Sequence, residues 1–180
     1  MLIKIQTLQS IPRPERDAAI EQARSIFFET SGRTEFRDAL EKAEFEKKYF
    51  NIFLENADLF FLARLPNGVA GYLAAAENTT GIHYALHPYL ERFRPLISTR
   101  YPSHFHINVT GAARGLGTGS LLTAACDQAL KNRGSPGVHI VTLATARNTV
   151  FYQRNGFVRE AETVWNGKTL LLMGKPLLTR

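Results

Sequence analysis

The stretch best equipped for chemistry runs from His106 to Leu122, HINVTGAARGLGTGSLL. It reads as a strand, then a turn carrying Gly115, Gly117 and Gly119, then the start of a helix. A strand that feeds a glycine-rich turn into a helix N-terminus gathers successive free N–H groups and the positive end of the helix in one place, which is the chemistry of a pyrophosphate site. The glycines let the main chain approach a ligand closely, and Arg114 adds a full positive charge. Other readings compete. A P-loop needs Lys-Ser/Thr after its last glycine, whereas Ser120 and Leu121 follow Gly119. A dinucleotide fingerprint needs G-x-G-x-x-G near an N-terminal strand and an acid about twenty residues on; here the spacing is G-x-G-x-G at mid-chain, and no acid stands in that place. The plain alternative is a flexible turn into a helix, the commoner meaning of a lone glycine triplet. The strand before, the helix after and Arg114 count against it.

Metal and thiol chemistry find no footing. The chain has one cysteine, Cys126, so an intrachain disulfide is excluded. The apolar neighbours Leu122, Ala125 and Ala129 mark Cys126 as a small core residue. No spacing of His, Asp or Glu resembles a metal-ligand set.

The elements that must position the turn follow from pattern. With 180 residues, 44% hydrophobic and 21% charged, the chain is expected to be a single domain, residues 1–180, with a real core. No apolar run is long enough to cross a bilayer, and the N-terminus lacks the stretch of a signal peptide. The cytoplasm is therefore the expected compartment. The net charge of +6 is uneven. Residues 1–90 hold 10 Lys+Arg against 12 Asp+Glu, and residues 91–180 hold 12 against 4. A basic half suits a polyanionic ligand, but its cations are scattered singly, which favours something compact over nucleic acid. A solvated basic face is the plain alternative.

A strand over 2–8 leads to Pro12 and Pro14, which open a helix with Ile20, Ala23 and Phe27 on one face; Ser31-Gly32 breaks it. Thr34 is the expected N-cap of a second helix whose apolar side carries Phe36, Leu40, Ala43, Phe50 and Phe53. Two apolar runs, 59–65 and 69–76, flank Pro66-Asn67-Gly68 as a hairpin. Pro88 is expected to start a short helix with Leu90, Phe93 and Ile97, disturbed by Pro95. His104–Thr110 alternates, with Phe105, Ile107 and Val109 on one face and His104, His106 and Asn108 on the other. After the turn and its helix, 138–143 reads as a strand buried on both sides, a helix runs through Tyr152 to near Gly156, and Asn166-Gly167 joins a last hairpin. The fold class is α/β: a mixed sheet, antiparallel at both ends with a central parallel strand pair, and helices on both faces.

The pattern Arg114-x-x-Gly117-x-Gly119 resembles motif A of the GNAT superfamily, the GCN5-related N-acetyltransferases. The stretch Leu143–Phe157, LATARNTVFYQRNGF, resembles that family's strand, helix, aromatic-Tyr and Gly-Phe signature, and the element order matches over nearly the whole chain. Tyr101–Asn108, YPSHFHIN, also resembles the acetyltransferase-like domain attached to some O-GlcNAc hydrolases.

The resemblance implies an acetyl-CoA-dependent N-acetyltransferase in which an amine attacks the thioester directly. The cofactor would wedge where the central parallel strands splay. Backbone groups of Ile107, Asn108 and Val109 would pair with the pantetheine arm, with the N–H near Val109 polarising the thioester carbonyl. Arg114, Gly115, Leu116, Gly117, Thr118, Gly119 and Ser120 would hold the pyrophosphate, and Tyr152 would protonate the departing thiolate. Where the family often carries an asparagine seven residues before this tyrosine, Thr145 stands here. It is expected either to cap the helix and contact the cofactor, or to yield that contact to Asn148. A base must take the amine's proton. No Asp or Glu lies between Arg92 and Cys126, which turns attention to His106, sharing a strand face with His104. Arylalkylamine acetyltransferases resemble this in their His-x-His pair, set one residue off this register. A hydrogen-bonded core histidine is the plain alternative for His106, and Glu77 is another candidate base. His83, His87 and His139 read as structural or exposed. The partners expected are acetyl-CoA and an amine-bearing acceptor, without membrane or nucleic acid; a homodimer is compatible with the sequence. The rival from another class is a non-catalytic module of the same fold that binds an acyl-CoA or a protein.

Overall fold

A computed structural model describes residues 2–33 and 35–178. Seven strands form one mixed sheet in the order β1-β2-β3-β4-β5-β7-β6: β1 Lys4–Thr7, β2 Phe60–Leu65, β3 Gly68–Ala76, β4 Ser103–Val109, β5 Gly137–Leu143, β6 Val158–Trp165 and β7 Lys168–Pro176. β1, β2 and β3 pair antiparallel in turn, as do β5, β7 and β6. β4 and β5 are parallel. This is the mixed sheet expected from the pattern. The helices are α1 Arg13–Thr30, α2 Ala39–Tyr49, α3 Gly81–Leu86, α4 Arg94–Thr99, α5 Thr118–Asn132 and α6 Asn148–Arg154. The chain divides into two compact units, Met1–Ala75 with His106–Cys126, and Ala76–Phe105 with Asp127–Arg180.

In the first unit, α1 begins on Pro12 with Pro14 in its first turn, where the missing N–H costs nothing. It buries Ala19, Ala23, Ile26 and Phe27, a spacing of one helix face. Phe27 stacks on Phe45 with ring centroids 5.3 Å apart and tilts against Phe50 at 5.6 Å. The second helix departs from expectation. The expected cap, Thr34, lies outside the described residues, and α2 starts at Ala39 on Asp38, whose carboxylate accepts the Glu41 N–H at 2.8 Å. Phe45 and Tyr49 are half-buried while Leu40 is 69% exposed, so the apolar face is not the one expected.

In the second unit, α3 opens on a capping box between Thr80 and His83. The helix expected from Pro88 is two pieces, a 3-10 stretch Pro88–Phe93 and then α4. The break falls just before Pro95, which sits in the first turn of α4. Leu90, Phe93 and Ile97 are buried as expected, together with Tyr84, Tyr101 and Leu172. Tyr101 fills a slot made by absent side chains: a Cβ on Gly174 would lie 2.5 Å from its ring, and one on Gly137 2.7 Å. Asn166 and Gly167 both have positive φ, +48° and +72°, the type I′ turn read from the sequence.

Candidate active site

The glycine turn belongs to the first unit. After β4, the Thr110 N–H donates to the Ala70 carbonyl at 2.9 Å. Gly111–Ala113 makes one 3-10 turn, and Arg114 is extended and exposed. Gly115 and Gly117 take φ of +78° and +79°, the left-handed region that an L side chain enters only under strain. A Cβ on either would meet nothing within 4 Å, so conformation rather than crowding requires glycine there. The first backbone bond into α5 runs from the Leu121 N–H to the Gly117 carbonyl at 3.0 Å. The N–H groups of Thr118, Gly119 and Ser120 precede that first helical turn and have no intrahelical partner. The Thr118 side chain is buried and its hydroxyl donates to the Ala113 carbonyl at 3.0 Å, which closes the turn from inside. Leu116 and Ser120 are exposed. The turn thus joins two left-handed glycines, an exposed arginine and a helix start whose first N–H groups have no intrahelical partner.

β4 leads into this turn. Ile107, Asn108 and Val109 are half-buried. The Asn108 side chain is spent on the fold, joined to the Tyr72 hydroxyl and to the Thr30 hydroxyl, each at 2.8 Å. Gly71 explains how β3 fits here: a Cβ on it would lie 2.9 Å from the Asn108 carbonyl oxygen. Nothing in the pattern around Gly71 singled it out. The His106 ring lies 5.6 Å from the Tyr49 ring and 6.3 Å from that of Phe53. Its Nδ1 is buried without a hydrogen-bond partner among the described residues. Burial drives the pKa of His106 down to about 4, so the ring is neutral at pH 7.

The second unit holds Tyr152 on α6, directly after β5. It is 8% exposed, and its ring packs against Phe105 at 6.3 Å and Phe157 at 5.6 Å. Burial pushes the phenol pKa upward, so the hydroxyl keeps its proton at neutral pH, the state a proton donor needs. Thr145 and Asn148 are both exposed. The expectation that Thr145 caps the helix is corrected: the residue at the cap is Arg147, and no side chain caps α6. The Asn148 amide oxygen accepts from the Thr142 hydroxyl at 3.0 Å. Glu77 is tied to Arg133 at 2.9 Å, a pairing that opposes its use as a base. The β4–β5 register consists of Ser103↔Val138 and His104↔His139. His104 and His106, though on one face of β4, have different company: His104 meets His83 and His139. Thr79, hydrogen-bonded to His104, carried no signal in the sequence. Among the described residues no group of three His, Cys, Asp or Glu could hold a metal ion, and no helix is long and apolar enough to cross a membrane.

No protein-family model matches the chain. It is similar to SsHAT, with a TM-score of 0.71 at 19% identity over 99% of this chain and 100% of the other. It is similar to a GNAT-family protein from Desulfovibrio desulfuricans, with a TM-score of 0.66 at 18% identity over 98% and 100%. It is also similar to a chain of the NatC complex bound to Gag peptide and CoA, with a TM-score of 0.65 at 13% identity over 99% and 100%. The fold is that of the GNAT acetyltransferases.

Proposed function

We propose that this chain is an acetyl-CoA-dependent N-acetyltransferase that moves the acetyl group to an amine acceptor by direct attack. The observation that carries the reading is the turn from Arg114 to Ser120. Two left-handed glycines, three backbone N–H groups ahead of the first α5 hydrogen bond and an exposed guanidinium follow one another there, which is the donor set a pyrophosphate requires. The CoA bound in the NatC complex supports the same ligand class.

In this reading the main chain of Ile107, Asn108 and Val109 holds the pantetheine arm, and the N–H near Val109 polarises the thioester carbonyl. Thr145 and Asn148, exposed around the start of α6, are the side chains offered to the cofactor there. The amine nitrogen forms a bond to the carbonyl carbon and passes its proton to water, the carbon–sulfur bond breaks, and the thiolate takes the Tyr152 proton, which water then replaces. His106, neutral and set against Tyr49 and Phe53, lines the acceptor side and offers a hydrogen bond to the incoming amine.

The test has two parts. CoA or acetyl-CoA at a hundred times its dissociation constant should stabilise the fold by about 2.7 kcal/mol; no rise in Tm with millimolar ligand overturns the cofactor assignment. Release of CoA from acetyl-CoA should then depend on an added primary amine. Binding without amine-dependent turnover would mark a non-catalytic acyl-CoA module instead.

A further inference from the structure

Lys175 of β7 is a cation held largely inside the second unit. Its side chain is 23% exposed and that of its ion partner, Asp127 of α5, 9%. The ammonium donates to Asp127 Oδ2 at 2.5 Å and to the Asn155 carbonyl at 2.6 Å. It also stands over the Phe157 ring, 5.8 Å from the centroid. Its stem crosses Gly156, where a Cβ would come within 3.2 Å of Lys175 Cε. Gly156 also has a φ of +86°, so conformation and crowding both favour glycine there. Asn155 is the residue on which α6 ends. A carbonyl at a helix end has no intrahelical donor, and a cation beside it suits the helix dipole.

α6 needs an anchor outside itself. It has seven residues and no side chain caps its start, and a helix that short is not stable in water on its own. Its C-terminal end is bound from several sides instead. The Asn155 side-chain amide donates to the Phe151 carbonyl at 2.8 Å. The Asn155 and Phe157 backbone N–H groups both donate to the Tyr152 carbonyl at 3.0 Å, and the Phe157 ring lies 5.6 Å from the Tyr152 ring. Lys175 therefore reaches Tyr152 by two routes, through the Asn155 peptide and through the Phe157 ring. Net stability does not explain the ion pair, because taking two charges out of water costs about as much as their attraction gives. Burial pushes the Asp127 carboxyl toward its neutral form and Lys175 opposes that, while Asp127 Oδ1 is buried with no hydrogen-bond partner among the described residues. What the pair supplies is direction: the carboxylate aims the ammonium at the end of α6.

Resting on the acetyltransferase reading above, we propose that Lys175, aimed by Asp127, is the positioning residue for the proton donor. It holds the C-terminal end of α6, and through the Asn155 peptide and the Phe157 ring it sets where the Tyr152 hydroxyl stands when the thiolate leaves. Lys175 itself gives up no proton in the reaction; the proton still passes from Tyr152 to the thiolate, and water replaces it.

The experiment is a double-mutant cycle on kcat, using acetyl-CoA and primary amines, with butylamine, phenethylamine and a lysine-containing peptide among them. Lys175→Met leaves Asp127 buried and unpaired, so its Tm should fall. Asp127→Leu combined with Lys175→Met removes both charges and should recover Tm. With an amine the wild type acetylates, the single and the charge-free variant should both lower kcat by about 10²-fold, the effect of misplacing a reacting group by about 1 Å, with acetyl-CoA affinity held. A pair that served stability alone would regain kcat together with Tm in the charge-free variant. In the Tyr152→Phe background the same substitutions should change kcat by less than about twofold, since the proton they misplace is already gone. A wild-type kcat in either folded variant, or an equal fold-loss in the Tyr152→Phe background, overturns the assignment. A wild type that binds acetyl-CoA and acetylates no amine overturns the acetyltransferase reading itself, and this role with it.

Discussion

Gly117→Val isolates the role of the glycine turn, because α5 carries its own control. Gly117 begins the helix with φ +79° and Gly134 follows its end with φ +77°. A Cβ on either meets nothing within 4 Å. Valine should therefore cost stability at both ends through backbone strain alone, about 1–2 kcal/mol for forcing an L residue into the left-handed region, with β-branching adding to it. In a chain of this length each kcal/mol moves Tm by about 2–4 °C, so both variants should melt about 2–8 °C below the wild type. Ligand response should divide them. CoA at a hundred times its dissociation constant is worth about 2.7 kcal/mol, a rise of about 5–11 °C. The wild type and Gly134→Val should show that rise. Gly117→Val should lose it, because relaxing the left-handed residue would reorient the N–H groups of Thr118 and Gly119 on which the proposed phosphate contact depends. Thermal unfolding of the three proteins with and without CoA reads the result. An equal rise in Gly117→Val would refute a phosphate cradle at this turn.

Tyr152→Phe should lower kcat by about 10²–10⁴-fold while leaving the acetyl-CoA dissociation constant nearly unchanged, as expected of an interaction made mainly in the transition state; single-turnover kinetics with the best amine from a panel checks it. Gly174→Ala should destabilise the second unit by about 1–3 kcal/mol, the cost of overpacking, since the new methyl would meet the Tyr101 ring at 2.5 Å; denaturant unfolding measures it. Stability should fall as pH drops from about 6.5 towards 4: the folded pKa of His139, about 4, lies below its unfolded value, so the native state binds fewer protons across that window. His139→Gln should flatten the fall by up to about 1.4 kcal/mol per pH unit, read from unfolding midpoints across that range.

Local devices were legible in the sequence and distant ones were not. Asn166-Gly167 announces its turn because both positions need positive φ, and few residues tolerate that. The run from Arg114 to Ser120 announces its turn and helix start for the same reason, since Gly115 and Gly117 take positive φ and α5 begins at Thr118. α3 escaped notice because its capping box closes on His83, where the usual signature has Glu or Gln three residues after the cap. α2 starts later than the pattern suggests because its cap, Asp38, follows another cap-type residue, Thr34, by four positions. Tyr152 could be placed from its aromatic and Gly-Phe neighbours. The neighbours of His104 could not be, because Thr79 stands twenty-five residues away and only the tertiary fold brings the two together.

The charge of the C-terminal half shows the same division between what composition states and what packing decides. Its four acids are all spent in ion pairs: Glu91 with Arg94, Asp127 with Lys175, Glu160 with Arg100 and Glu162 with Arg159. The positive surplus is therefore carried by the cations left over. Arg114 is one of them, exposed beside the glycine turn and without a carboxylate partner among the described residues. A nucleic-acid groove would need many such cations in register along a backbone, and its affinity would fall steeply with salt. A pyrophosphate needs one or two cations, because the helix start and the turn supply the remaining donors as fixed dipoles that salt screens little at contact distance. The pyrophosphate site proposed at Arg114 would be of the second kind. A sequence pI near 9.7 is thus compatible with a small phosphorylated ligand, and the basic half gives no independent reason to invoke a larger one.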